Sequence, residues 1–364
     1  TPEEILHYKP KLPEPLKIPN LNNGLEAKIK NLQNDIRNYV TGLERPINIR
    51  VYKEIESIYK ESQFMASKPN IAFLGPSDAG KSMLINSLTG LNTLVSKWTP
   101  ATSATVLLKH KKDKPAWMGE DDVWIFKAES SSSGWDIQES NNQKYCENLC
   151  IAKGQINVLE DFANRNNKGK IKKRVDSAVV YIDSPILNAC NIIDSPGFGT
   201  EEERDTIMAN RIFSNMDIGI FVCQSNSFLN KIDDISFLLN LVKVLSKREM
   251  GSLLLNLLIV ASQAHIVGED NLDFIFKKGS QAIVENYPIE EHINDPSINN
   301  DQFKRVIQKR FFSYSLERAE LRTTFESALK YLLNEMYPSY QKHKIDSLVD
   351  KFNKIKNNKE ITLN

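Results

Sequence analysis

Asn70-Ile71-Ala72-Phe73-Leu74-Gly75-Pro76-Ser77-Asp78-Ala79-Gly80-Lys81-Ser82 runs from an apolar strand pattern into a glycine-bounded loop, and Met83–Leu88 continues it as a helix. Strand, loop and helix in that order place the loop at a helix N-terminus, where unpaired backbone N–H groups favour anions. Glycines at Gly75 and Gly80 let the backbone close around phosphate oxygens. Lys81 is placed to reach the β and γ phosphates, and the Ser82 hydroxyl to ligate Mg²⁺. The loop residues Gly75, Pro76, Ser77, Asp78, Ala79, Gly80, Lys81, Ser82 and Met83 therefore form the candidate nucleotide-binding segment.

The surrounding chain has the texture of an α/β domain. Short apolar runs at Ile71–Leu74, Val106–Leu108, Val123–Phe126, Ala178–Ile182, Asn191–Ile193, Ile218–Val222, Leu254–Val260 and Phe311–Tyr314 read as strands. Helical patterns at Lys81–Leu88, Glu202–Met216, Phe228–Lys247, Leu272–Asn286 and Thr323–Met336 separate many of them. Alternation of this kind predicts a mostly parallel sheet covered by helices on both faces. Before it, Leu25, Ile29, Leu32, Ile36, Val40 and Leu43 repeat at helical spacing, and Val51–Gln63 continues as a second helix. Ile345, Leu348, Val349, Phe352 and Ile355 form a stripe near the other end. That stripe can lie on a membrane, but the Leu25–Leu43 stripe is the more natural partner. The expected divisions are a Pro-rich extended arm at 1–20, helices at 21–66, the α/β domain at 67–337 and a helix at 338–364.

Composition narrows the class. The 364 residues carry 47 Lys and Arg against 46 Asp and Glu, so no overall field gathers nucleic acid, which is excluded as a partner. Four cysteines without zinc-site spacing read as reduced thiols of a cytoplasmic protein. The longest apolar run, Leu253–Val260, is far shorter than a membrane span, which takes roughly 18 residues or more. The basic run Arg165–Arg174 reads as a solvated loop, as does the Ser- and Asn-rich Glu129–Asn142.

Downstream, Asn191-Ile-Ile-Asp194-Ser195-Pro196-Gly197 ends a strand in a carboxylate and turns on Pro-Gly. Asp194 is placed to hold the Mg²⁺ shell and the Gly197 N–H to sense a γ-phosphate. Between the two motifs, Trp98–Thr105 offers several hydroxyls, of which Thr102 is the preferred metal ligand. The ordered set Gly75–Ser82, Pro100-Ala101-Thr102-Ser103 and Asp194-Ser195-Pro196-Gly197 resembles the GTPase domain of the dynamin superfamily, especially bacterial dynamin-like proteins. The likeness runs from about Asn70 to Met336. It implies a P-loop GTPase fold with helical neck segments from both chain ends. It also implies Mg²⁺-dependent binding of GTP and GDP and GTP hydrolysis coupled to self-assembly and membrane remodelling. Lys81, Ser82, Thr102 and Gly197 take the catalytic roles, and Ser82, Thr102 and Asp194 those around the metal. Head-to-head homodimerisation orders the switches, and peripheral membrane contact comes from stalk parts this chain lacks. The chain is then a fragment or a short variant.

Three departures from the family pattern bear on chemistry. The segment Ser262-Gln263-Ala264-His265 stands where a guanine-reading carboxylate is expected at the last position, and a neutral imidazole cannot accept the two hydrogen bonds that carboxylate takes. Ser315, after the last strand, matches the final base-contacting motif. Ser77 and Asp78 replace residues that position water and a compensating cation, and Phe198 brings no polar group to the turn. Slow hydrolysis follows. Two other readings fit the same residues: a nucleotide-binding switch with little turnover, and a P-loop ATPase.

Overall fold

A computed structural model describes residues 12–18, 24–42, 48–91, 104–127, 135–159, 175–197, 202–247, 250, 252–289, 293 and 297–357. The chain divides into two compact units, one formed by 1–18 with 69–330 and the other by 19–68 with 331–364.

The first unit is built on β1 (Asn70–Leu74), β2 (Thr105–His110), β3 (Val123–Lys127), β4 (Cys150–Gly154), β5 (Val175–Ile182), β6 (Asn191–Asp194), β7 (Ile218–Gln224), β8 (Leu257–Ser262) and β9 (Phe311–Ser313). They form one sheet in the order β4-β3-β5-β2-β6-β1-β7-β8-β9. Five of the eight neighbour pairings are parallel; β2 runs against β6, and β3 runs against both β4 and β5. Its helices are α3 (Lys81–Thr89), α4 (Gln143–Leu149), α5 (Glu202–Asn215), α6 (Ile232–Leu245), α7 (Glu269–Asn286), α8 (Asn300–Gln308) and α9 (Thr323–Tyr331). The central strands are buried on both faces, as Ile71–Leu74 and Leu257–Ser262 illustrate, which is why they read as continuous apolar runs. Phe221, Leu241, Ile259 and Ile283 belong to the cluster that this burial creates.

Several elements differ from the sequence expectation. β8 begins at Leu257 rather than Leu254, because Leu254 takes a positive φ of 55° within a turn. The buried Asn256 side chain there donates to the Asp217 carbonyl. α6 starts at Ile232, since Leu229 also has positive φ and closes a preceding turn. Part of the stretch expected as a surface loop is instead core: Trp135 is 1% exposed and stacks on Phe126 at 4.5 Å. Its backbone N–H donates to Asp176, which Arg211 of α5 also grips with both terminal nitrogens. Residues 12–18 form no helix or strand, and the Leu16 N–H donates to the Leu88 carbonyl at the end of α3. The basic run 165–174 and Leu43 lie outside the described residues.

The second unit contains α1 (Leu25–Thr41), α2 (Ile49–Met65) and α10 (Tyr337–Asn357), the last entered through a π-helical turn at Leu332–Met336. The two stripes do meet. Ile29, Leu32, Ile36, Ile55, Ile58, Ile345, Leu348, Phe352 and Ile355 form one buried cluster. Tyr39 meets Phe352 edge-on at 5.7 Å, and Lys344 pairs with Glu61 at 2.7 Å. Leu348 is fully buried here. Leu348→Ala should therefore remove about 2–5 kcal/mol of stability from this unit, through lost transfer energy plus the cavity left behind. Hydrogen exchange of α1 and α10 amides reads this directly, and unchanged protection would show that the stripe does not hold the bundle.

Candidate functional site

The carboxyl ends of parallel strands in an open α/β sheet are where ligands bind, and here the ends of β1, β6, β7, β8 and β9 bring most of the expected residues together. β1 leads into the loop 75–80. Gly75 has φ 147°, and a Cβ built on it would lie 2.1 Å from the Val222 carbonyl oxygen of β7, so only glycine lets the loop leave the sheet this way. Gly80, at φ 86°, starts α3. Lys81 is buried and folds back, donating to the carbonyls of Gly75 and Pro76 at 2.8 Å each. Ala79 is buried, Ser77 and Asp78 are exposed, and Met83 is exposed on the first turn of α3.

Asp194 ends β6 with its Cα paired to Phe73 of β1. The residue is 3% exposed, and its Oδ1 has no hydrogen-bond partner. Burial pushes this carboxyl up to about 7, opposed by the Lys81 charge. Burial likewise brings the Lys81 ammonium down to about 8, opposed by Asp194 and then Asp78. A buried carboxylate oxygen with no partner is an uncompensated acceptor, and the partly exposed Ser82 hydroxyl belongs to the first turn of the neighbouring helix. Together they suit a hard, oxygen-seeking cation such as Mg²⁺, which takes one or two protein oxygens and fills its shell with phosphates and water. Next in the chain, the Ser195 hydroxyl donates to the Phe73 carbonyl at 2.7 Å and anchors the turn. A Cβ on Gly197 would lie 2.5 Å from both Cα and N of Ser77, so the Pro-Gly turn rests its backbone directly on the phosphate-type loop.

Stability should register this buried pair. The raised Asp194 value means the folded state holds a proton that the unfolded chain has already released between about pH 4 and pH 7, so this contribution falls as pH rises through that window. The lowered Lys81 value works the other way: between about 8 and 10.5 the unfolded chain holds the extra proton, so stability recovers as pH rises. Urea midpoints of wild type minus those of Asp194→Asn should therefore decline from about pH 4 to about pH 7. A flat difference would show that Asp194 is not held in this way.

The residues expected to meet a base come from the ends of β8 and β9. The Ser262 hydroxyl lies 2.6 Å from the Ala79 carbonyl, tying this segment to the loop. Gln263 adopts positive φ, 51°, and its carbonyl accepts from the Ser225 hydroxyl at 3.0 Å. The His265 Nδ1 meets the Ser315 Oγ at 3.0 Å, and its Nε2 stands 3.8 Å from the Glu317 carboxylate. Thr102 and Phe198 lie outside the described residues. Sequence reasoning passed over Gln224, whose side-chain amide donates to the Asp78 carbonyl at 2.7 Å, together with Ser225 and Glu317. Gln224 and Ser225 had a findable signal, since Gln224 ends a strand at its carboxyl end and Ser225 follows it. Gln224 on the Asp78 carbonyl and Ser262 on that of Ala79 thus tie two successive loop carbonyls to β7 and β8.

A parallel strand, a glycine loop clasped by Lys81, and a neighbouring strand ending in a buried carboxylate define a P-loop nucleotide-binding α/β protein. The profile of the dynamin family matches residues 71–261, more than half of the chain, and the chain belongs to the dynamin family of GTPases. Among solved structures, one subunit of an oligomerised bacterial dynamin pair is similar over 97% of this chain and 58% of its own, at 16% identity and TM-score 0.53. A second from the same kind of pair matches 91% of this chain and 47% of its own, at 16% identity and TM-score 0.50. LeoA, a bacterial dynamin GTPase from ETEC, has 12% identity and TM-score 0.40 over 91% of this chain and 47% of its own. This chain thus spans just over half the length of the first of these proteins. No curated protein matches it. Among the described residues no helix is long and apolar enough to cross a membrane.

Proposed function

We propose that this chain binds GTP with Mg²⁺ and hydrolyses it slowly, in a cycle coupled to self-association and to membrane remodelling by the larger assembly. The observation that carries the reading is the juxtaposition of the Lys81-clasped loop with the buried, unpartnered Asp194 oxygen at the end of the adjacent strand. On this reading Lys81 exchanges two backbone carbonyls for phosphate oxygens, and the loop N–H groups follow. Ser82, Asp194 and Thr102 hold the metal. Mg²⁺ held there would supply positive charge against the charge that develops on the phosphate during transfer. The Gly197 N–H senses the γ-phosphate: because the turn rests on Ser77, a terminal phosphate there displaces it, and its loss lets the turn return. The segments 21–66 and 338–364 serve as a neck, and 67–337 as the GTPase domain.

Positioning and electrostatics supply the catalysis, so ordering of the turn limits the rate. A homodimer through the GTPase domain would provide that ordering. The similar bacterial dynamin pair is described as oligomerised and as sensing and tethering membranes over long range. Phosphate release from GTP, followed across protein concentration, tests the proposal. Turnover per molecule should rise as protein concentration rises. Tight GTP binding without phosphate release at any concentration would identify a switch module instead.

A further inference from the structure

The carboxylate expected at the position of His265 is missing, and the site supplies another. The Ser315 hydroxyl oxygen accepts the backbone N–H groups of Glu317 and Arg318, both at 3.2 Å. These two bonds occupy its lone pairs. Its own proton therefore goes to His265 Nδ1, and this assigns the imidazole proton to Nε2. That Nε2–H faces the Glu317 carboxylate at 3.8 Å. The gap is too long for a hydrogen bond. The neighbouring carboxylates are spoken for, since Arg318 holds Glu320 at 2.6 Å and Glu269 at 3.0 Å. Glu317 has no other ion pair among the described residues and is about half exposed, so its oxygens are free to receive a ligand.

Beyond β8 and β9 the chain thus presents an N–H donor beside a two-oxygen acceptor. The segment bearing His265 is tied through Ser262 to the phosphate-type loop, and β8 lies two strands from β1. At the usual spacing between strands that is a lateral step of about 10 Å. We propose that Glu317 reads the guanine base in place of the missing carboxylate: its two oxygens accept N1–H and one N2–H, while His265 Nε2–H donates to O6. Adenine presents an N1 lone pair where guanine presents N1–H, so it sets an acceptor against the carboxylate and offers its amino group where guanine carries O6. This inference rests on the GTP-binding reading above.

Calorimetric titration of the full chain with GTP, xanthosine triphosphate and ATP, each with Mg²⁺, compares wild type with Glu317→Gln. Wild type should prefer GTP. The amide turns one acceptor into a donor that suits the C2 carbonyl of xanthine, so the variant should lose GTP affinity about 10- to 100-fold and gain it for xanthosine triphosphate. A misfolded protein cannot show that gain. If the variant bound GTP and xanthosine triphosphate as wild type does, or if wild type bound GTP and ATP equally, the assignment of Glu317 would be overturned with the phosphate site intact. Binding of none of the three by wild type would overturn the GTP reading itself, and this inference with it.

Discussion

Lys81→Ala should weaken nucleoside triphosphate binding by roughly 100-fold or more and leave the protein folded. Truncating one member of a close charge pair in a desolvated site costs about 2–5 kcal/mol, and each ~1.4 kcal/mol is tenfold in affinity. Lys81 lies within the loop at 6% exposure. Its attraction to phosphate is therefore little screened. Folding responds differently. The ammonium is already held below its ordinary value by burial, and it makes two carbonyl contacts. Removing it relieves a desolvation cost while those contacts and the attraction to Asp194 are lost. Those effects offset, and the thermal midpoint should move by only a few degrees. Isothermal titration with Mg²⁺–GTP alongside a thermal melt separates the two, and unaltered affinity would remove Lys81 from the site.

Gly75→Ala should be the most damaging single methyl in the first unit. The added carbon would sit 2.1 Å from the Val222 carbonyl oxygen, which is backbone in the middle of the sheet and cannot rotate aside. The position also has φ 147°, outside the range an alanine adopts readily. Overpacking a rigid interior commonly costs about 1–3 kcal/mol, and the backbone strain adds to it, so a loss of about 3 kcal/mol or more is expected in urea denaturation. Gly80→Ala provides the contrast: it shares positive φ, but its nearest neighbour is the Ser262 side chain at 3.5 Å. It should cost less stability, with the larger effect on nucleotide affinity. Equal stability losses would show that positive φ alone, not contact with β7, sets the requirement at Gly75.

Much of this was legible in the sequence wherever chemistry constrains spacing. Gly75, Gly80, Lys81 and Ser82 stand out as candidates because a phosphate-type loop needs those residues at those intervals, and Asp194 because a strand-end carboxylate before Pro-Gly is equally local. The parallel core was readable from strands such as Ile218–Val222, buried on both faces and therefore continuously apolar. β4 escaped because Cys150–Gly154 is a half-exposed edge strand with no alternation to mark it. α8 escaped because its apolar residues are few, although Asn299 and Gln302 form a capping box at its start. Trp135 was hidden by its serine-rich surroundings.

The base-side site divides along the same line. That His265 stands where a carboxylate is expected was plain from four consecutive residues. Its contact with Ser315 and Glu317 was not, because it depends on β8 and β9 lying side by side although they are far apart in the chain. Gln224 likewise reaches the Asp78 carbonyl only through the pairing of β7 with β1. Local chemistry announces itself in sequence, whereas groups that act across strands need the sheet order to be known.

Calorimetric titration of the purified chain with GTP, GDP and ATP, each with and without Mg²⁺, tests Mg²⁺-dependent GTP binding most directly. GTP should bind at one saturable site that tightens with Mg²⁺, with ATP far weaker. Absence of saturable binding by any of the three, or equal binding of GTP and ATP regardless of Mg²⁺, would contradict it.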